Sequence, residues 1–217
     1  MEHPATVVGA ALVLFASTNI DDLLLMVVLQ SDHRRRYPPL AILVGQMLGF
    51  GAILAISMLG FLSGQVIPQA WLACLGVLPL AMGVRQGISL MGQQRSADGS
   101  LEEARQSLEQ AVPALSSNRR TIARVASLTL ANGSDNVSVY LPLFGRLDPP
   151  ALLLTLGTFL LALAGLWVLA HWLAHHRRWR HRLQRFGPRV APVVLISLGI
   201  WLLRDSWLWD RIVPLSP

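Results

Sequence analysis

The chain has 217 residues, of which 53% are hydrophobic and 14% are charged, and its mean hydropathy is +0.50. A soluble domain carries about 25% charged residues, so this composition excludes an ordinary soluble domain and indicates a membrane protein. The net charge of +6 would suggest nucleic-acid binding in a soluble chain, but here the basic residues lie between apolar runs. They predict an orientation in the membrane, with the lipid bilayer and not nucleic acid as partner.

Six apolar segments follow one another along the chain, and each has roughly the 20 residues that a helix needs to cross the hydrocarbon core. We predict an all-α membrane protein with six transmembrane helices, at residues 6–29, 39–62, 70–90, 121–143, 151–173 and 190–208. The first segment lacks the preceding basic stretch of a secretory signal, so we interpret it as a membrane helix. The single cysteine, Cys74, excludes an intrachain disulfide and a thiolate cluster.

The placement of arginines predicts the orientation of the helices. The loops after the first, third and fifth helices carry thirteen arginines, whereas the opposite side carries three. Because short basic loops stay in the cytoplasm, we predict that both termini lie outside it. The histidine- and arginine-rich run "HWLAHHRRWRHRLQRF" at the end of the fifth helix is predicted to lie at the lipid headgroups; a metal-binding patch at His171, His175 and His176 is the alternative.

The segment 93–120 is the longest polar stretch and divides the chain. It contains a capping-box pattern, Ser100 with Glu103, that predicts a short cytoplasmic helix. We therefore expect a first three-helix unit at 1–92, a cytoplasmic connector at 93–120 and a second three-helix unit at 121–217.

Two polar clusters interrupt the apolar segments, "STNIDDLLL" at 17–25 and "LANGSDNVS" at 130–138. A charge at the centre of a bilayer costs from ~3 to more than about 10 kcal/mol, so an acidic residue there indicates a functional site. Asp21 and Asp22 lie near the middle of the first segment, and Asp135 lies near the middle of the fourth. Both clusters are therefore expected at a similar depth.

The spacing within each cluster is the same. Asn19 and Asp22 are three residues apart, as are Asn132 and Asp135, and residues at this spacing share one face of a helix. Residues 133–134 weaken the fourth helix, and a kink there would free backbone carbonyls. The predicted ligands are Asn19, Asp21, Asp22, Asn132, Asp135 and Asn136, with Thr18, Gln46 and Ser134 as accessory candidates.

The repeated motif predicts an inverted repeat. The N-x-x-D spacing recurs in the second half, and the segments 78–84 and 195–201 also resemble each other, with Gly83 matched to Gly199. Because each half has three helices, the second copy enters the membrane from the opposite side. Folds of this kind place the substrate site near the midplane, between the halves.

Carboxylate and amide oxygens from both clusters form a ligand set that suits a cation. Without a cation the nearby acids repel one another, so at least one should hold a proton, and metal entry would expel it. Gln46 is either a further ligand or a hydrogen-bond partner between helices. No phosphate-binding loop is present in the sequence and we predict no cofactor, the divalent cation being the substrate.

The motifs "STNIDDLLL", "GQMLGFG", "LGVLPLAMGV" and "LANGSDNVSVYLPLF" resemble, in order, those of the cadmium-resistance transporter family within the lysine exporter superfamily. The resemblance covers nearly the whole chain. It implies a six-helix exporter of the bacterial inner (plasma) membrane, built from two three-helix repeats whose acidic residues meet near the centre. It also implies an association with resistance to cadmium.

The sequence thus predicts a secondary transporter, not an enzyme, that exports a cadmium-like divalent cation in exchange for protons. One alternative is an exporter of a basic amino acid or organic cation, which would need the same acids. A second is an intramembrane aspartyl enzyme, which would use two facing aspartates. A third is a structural protein whose amides join helices. The sequence leaves a homo-oligomer open.

Overall fold

The computed structural model describes residues 3–30, 38–66, 68–92 and 118–204, and the regular secondary structure in these residues is helical. The predicted loop after the first helix lies outside the described residues, as does most of the 93–120 connector with its capping box. The helices are α1 (Pro4–Thr18), α2 (Ile20–Gln30), α3 (Pro39–Gly64), α4 (Gln69–Cys74), α5 (Val77–Gly92), α6 (Asn118–Asn132), α7 (Asn136–Phe144), α8 (Pro149–His175) and α9 (Arg177–Leu203).

Proline marks the start of three of these helices, α1, α3 and α8. Proline suits the first turn because its fixed φ matches the helix and its missing N–H would have no intrahelical acceptor there. At α8 the Asp148 carboxylate adds a cap, since it accepts a hydrogen bond of 2.9 Å from the Ala151 backbone N–H.

Two helices, α3 and α8, are long and apolar enough to cross a membrane, and α1 with α2 forms a third candidate span if the bent pair is counted as one. These spans coincide with the predicted segments 39–62, 151–173 and 6–29. Large apolar side chains such as Leu40, Leu153 and Leu161 lie exposed on them, as on a lipid-facing surface. The described part of the chain thus gives two to three candidate spans, and the six-helix arrangement stays a prediction.

The last helix differs from its predicted boundary. We expected a helix from residue 190, with the basic run 171–186 ending the fifth helix. The run is instead divided: residues 171–175 end α8, and residues 177–186 begin α9. Arginine and leucine are good helix formers. The helix therefore continues past the apolar stretch Val190–Leu203, which is shorter than a full span.

Each broken helix packs against a long one. The pair α6 and α7 lies along α3, the pair α1 and α2 lies along α8, and α5 lies along α9. Aromatic rings fill the space between the first two groups. The rings in contact are those of Phe15, Phe50, Tyr140, Phe144 and Phe159.

Glycines allow α3 and α6 to approach backbone to backbone. A Cβ placed on Gly45 would lie 2.8 Å from the carbonyl oxygen of Ile122, and one on Gly49 would lie 2.6 Å from that of Ala126. Both distances are shorter than van der Waals contact, so a larger side chain at either position would push the helices apart. This close packing brings polar residues of α3 and α6 within hydrogen-bond distance of each other.

Candidate functional site

The first polar cluster lies at a break between α1 and α2, whose axes differ by 60°. Asn19 occupies the break with φ −111° and ψ 21°, yet its backbone N–H still reaches the Phe15 carbonyl at 3.0 Å. Its own carbonyl accepts from the Leu23 N–H at 3.0 Å, so both backbone groups of Asn19 are hydrogen-bonded at the bend. The Asn19 side chain is fully buried, and the predicted ligand Asp22 in the next turn is 2% exposed.

The Asn19 amide is oriented by its neighbours. Its Nδ2 donates to the Phe15 carbonyl at 2.9 Å, to the Tyr140 hydroxyl at 3.1 Å and to Thr18 Oγ1 at 3.0 Å. The Thr18 and Tyr140 hydroxyls lie 2.7 Å apart and share a hydrogen bond. Among the described residues no group donates to Asn19 Oδ1, which is buried. The amide therefore keeps its oxygen available for a ligand.

Asp22 is held in a similar way. Its Oδ2 accepts from Gln46 Nε2 at 2.8 Å, and Gln46 Oε1 accepts from Thr129 Oγ1 at 2.7 Å. The other carboxyl oxygen, Asp22 Oδ1, is buried and has no partner in the described part of the chain. A buried polar atom without a protein partner is costly, so it is a position where water, an ion or a ligand can bind. Asn19 and Asp22, two of the three predicted ligands of the first cluster, thus each present one such oxygen.

Asp21 differs from its neighbour, as its position on the helix predicts. Consecutive residues of a helix point about 100° apart. Asp22 is accordingly buried against α3, whereas the Asp21 side chain is exposed. The two adjacent acids therefore differ in their surroundings, and Asp22 is the one that lies inside the helix packing.

The second polar cluster lies at a wider break. α6 ends at Asn132, α7 begins at Asn136, and residues 133–135 form turns between them, which confirms the predicted interruption. Asn136 is buried, whereas Asn132, Ser134 and Asp135 are exposed. Ser134 donates its hydroxyl to the Ala131 carbonyl at 2.9 Å. The expectation that Asn132 and Asp135 share one helical face is wrong, because the backbone between them is not helical.

The two clusters are near each other despite this difference. Asp22 lies within electrostatic range of Asp21 and Asp135, and Asp135 lies within range of Asp21. In the described residues, however, no three His, Cys, Asp or Glu side chains converge closely enough to hold a metal ion. The buried oxygens of Asn19 and Asp22 are therefore the best-defined part of the candidate site.

Sequence reasoning did not find two of the residues that shape this site. Tyr140 and Thr129 lie in apolar stretches of the second half, and neither belongs to a repeated motif. The signal in the sequence that could have found them is a hydroxyl-bearing side chain inside an apolar segment. Gln46, predicted as either a ligand or a helix-joining residue, is hydrogen-bonded at both ends of its amide.

Fold and site together define an all-helical membrane protein in which buried polar groups lie at helix breaks. A sequence model of the cadmium resistance transporter family matches residues 15–214, and the chain belongs to this family. The matched range includes both polar clusters, and the resemblance inferred from the motifs is confirmed. No match was found among curated proteins or among solved structures.

Proposed function

We propose that the protein is a secondary transporter that exports a divalent heavy-metal cation, cadmium-like in character, across the bacterial inner membrane in exchange for protons. Membership of the cadmium resistance transporter family supports metal transport. The proposal adds the direction, the coupling ion and the binding residues. Both termini are proposed to lie outside the cytoplasm, as the arginine distribution indicates.

One observation carries the assignment of the site. The Asp22 carboxylate is buried with one oxygen unpartnered among the described residues, one helical turn after Asn19, whose side-chain oxygen is also buried and unpartnered. An unpaired buried charge is strongly unfavourable, so a partner of positive charge is needed. A cation would satisfy both oxygens, and a proton would satisfy the carboxylate in its absence.

The remaining acids complete the proposed cycle. Asp135 and Asp21 lie within electrostatic range of each other and are exposed, so either can supply a further oxygen or carry a proton to the site. Because a cation binds deprotonated ligands, its entry releases protons, and returning protons release the cation. Asn132 and Asn136 provide neutral oxygens from the second cluster.

Helix contacts support the proposed inverted repeat. With Gly83 matched to Gly199, Leu80 matches Ile196. A Cβ on Gly83 would lie 2.9 Å from the Ile196 backbone N, and one on Gly199 would lie 2.7 Å from the Leu80 backbone N. Such reciprocal contacts between matched positions are what a two-fold axis produces. The packing of α1 and α2 on α8, and of α6 and α7 on α3, follows the same symmetry.

Titration of the purified protein with Cd²⁺ tests the site. We expect Asp22→Asn and Asp135→Asn each to weaken binding at least tenfold, or about 1.4 kcal/mol, because each removes a negative ligand. Asp148→Asn is the matched control, since Asp148 caps α8 away from the clusters and asparagine also caps helices. Unchanged binding in both site variants would remove the assigned site.

Flux in proteoliposomes tests the transport step. A pH gradient should drive Cd²⁺ movement, and an excess of lysine or arginine should not compete with it. Competition by the amino acids would favour the organic-cation exporter, and Cd²⁺ movement that is indifferent to pH would contradict proton coupling.

A further inference from the structure

When Asp22 is ionised, as it is with a cation bound, the hydrogen bonds around it have a fixed direction. Thr129 can reach Gln46 Oε1 with its hydroxyl hydrogen, and this leaves the Gln46 NH₂ group facing Asp22. A reversed amide would place its oxygen against the carboxylate, which is repulsive. The order is therefore Thr129 hydroxyl to Gln46 carbonyl, and Gln46 N–H to Asp22 carboxylate.

Packing holds this chain of hydrogen bonds from Thr129 through Gln46 to Asp22, here called the relay, in place. Gln46 and Thr129 are both fully buried, and the relay joins three helices, α2, α3 and α6. A Cβ on Gly49 would lie 2.7 Å from the Thr129 Cβ, so Thr129 packs directly against the α3 backbone at Gly49. This contact holds the Thr129 hydroxyl beside Gln46. The amide of Gln46 is consequently fixed by a residue of the second half while it acts on an acid of the first half.

We propose that Gln46 and Thr129 are positioning residues that make Asp22 a one-oxygen ligand and thereby set the cation selectivity of the site; this inference rests on the proposed metal transport. Gln46 N–H takes one lone pair of Asp22 Oδ2, so a cation binds Oδ1 without competition, whereas binding through both oxygens has to compete with the Gln46 donor. Thr129 takes one lone pair of Gln46 Oε1 and holds that oxygen toward α6, so Gln46 acts on Asp22 through its N–H group.

The consequence is discrimination against large hard cations. Ca²⁺ takes 6–8 oxygen ligands and commonly binds a carboxylate through both oxygens. A carboxylate restricted to one oxygen, beside the single oxygen of Asn19, disfavours that coordination. A softer cation such as Cd²⁺ depends less on a full shell of hard carboxylate oxygens and loses less from the same restriction. Removal of the Gln46 donor would free the second oxygen and admit the two-oxygen mode.

Competition binding of Cd²⁺ and Ca²⁺ to the full-length protein tests the inference. We expect Gln46→Leu, which is similar in size, to reduce the preference for Cd²⁺ over Ca²⁺ roughly tenfold. Thr129→Val, which removes the hydroxyl, should shift the ratio in the same direction by a smaller factor, because Gln46 can then turn. Thr129→Ser should retain the wild-type ratio.

Thr158→Val is the matched control. Thr158 is also buried in a long apolar helix, but its hydroxyl donates to the Leu154 carbonyl of the same helix, so the ratio should not change. Should Gln46→Leu fail to give a monodisperse protein, the Thr129 pair carries the test.

The outcomes separate the two proposals. Wild-type protein that binds no Cd²⁺ would overturn the proposed function and the relay with it. Wild-type binding with an unchanged ratio in Gln46→Leu and Thr129→Val would overturn the relay alone. An equal loss of both cations would also overturn it, because that result indicates a purely structural role.

Discussion

The two helix breaks carry the same N-x-x-D spacing but have opposite surroundings. At the first break both backbone groups of Asn19 are hydrogen-bonded, and Asn19 and Asp22 are buried against Tyr140 of α7 and Gln46 of α3. At the second, residues 133–135 leave the helix as turns, and Asn132 and Asp135 are exposed. The shared motif thus fixes where along the chain the polar groups lie, whereas the neighbouring helices determine whether these groups are buried.

This asymmetry has a functional interpretation. In transporters built from inverted repeats, the two halves adopt different arrangements when the site is open to one side. With the inverted repeat proposed above, the buried first cluster and the exposed second cluster would be such a difference.

The largest effect should come from separating the helices that seal the first break. Gly49→Leu would drive a side chain into the Ala126 carbonyl and Thr129, at a cost of about 3 kcal/mol or more because the obstacle is backbone. We expect loss of monodisperse protein in size-exclusion chromatography. Gly51→Leu is the control, since nothing lies within 4 Å of a Cβ there. Equal yields of the two variants would contradict the close packing of α3 on α6.

An intermediate effect should appear in chemical accessibility. In a Cys74→Ser background, we expect a cysteine at position 134 to react with a water-soluble thiol reagent at least about tenfold faster than one at position 19, a ratio equivalent to 1.4 kcal/mol. The reason is that Ser134 is exposed and Asn19 is fully buried. Mass spectrometry of the labelled protein in liposomes gives the two rates. A slow reaction at position 134 would mean that the second break faces lipid.

The smallest effect should come from the hydroxyl pair that joins the halves. Tyr140→Phe removes the hydroxyl that accepts from Asn19 and bonds to Thr18. We expect the free energy of unfolding to fall by about 1 kcal/mol. Thr18→Val and the double variant complete a mutant cycle. Because the two hydroxyls touch, their effects should not add. Strict additivity would show that the hydrogen bond contributes nothing.

Much of the fold was predictable from the chain. Apolar runs of membrane length located α3 and α8 to within a few residues, because hydrophobicity acts locally and needs no partner. Gly133 and Ser134 predicted the second break because both are weak helix formers, which is also a local property. The bend at Asn19 was not predicted, since asparagine alone does not break a helix. The start of α9 was missed because the good helix formers of the basic run extend this helix N-terminally beyond the apolar stretch.

The sequence by itself determined that acids and amides would sit within apolar segments, since their spacing and their surroundings are both written along the chain. Only the tertiary structure decided which carboxyl oxygen of Asp22 stays unpartnered and that Gln46, Thr129 and Tyr140 orient the site. The reason is physical: hydrogen bonds between residues 24, 83 or 121 positions apart depend on how closely helices pack. That distance is set by contacts among many residues and cannot be read from any one motif.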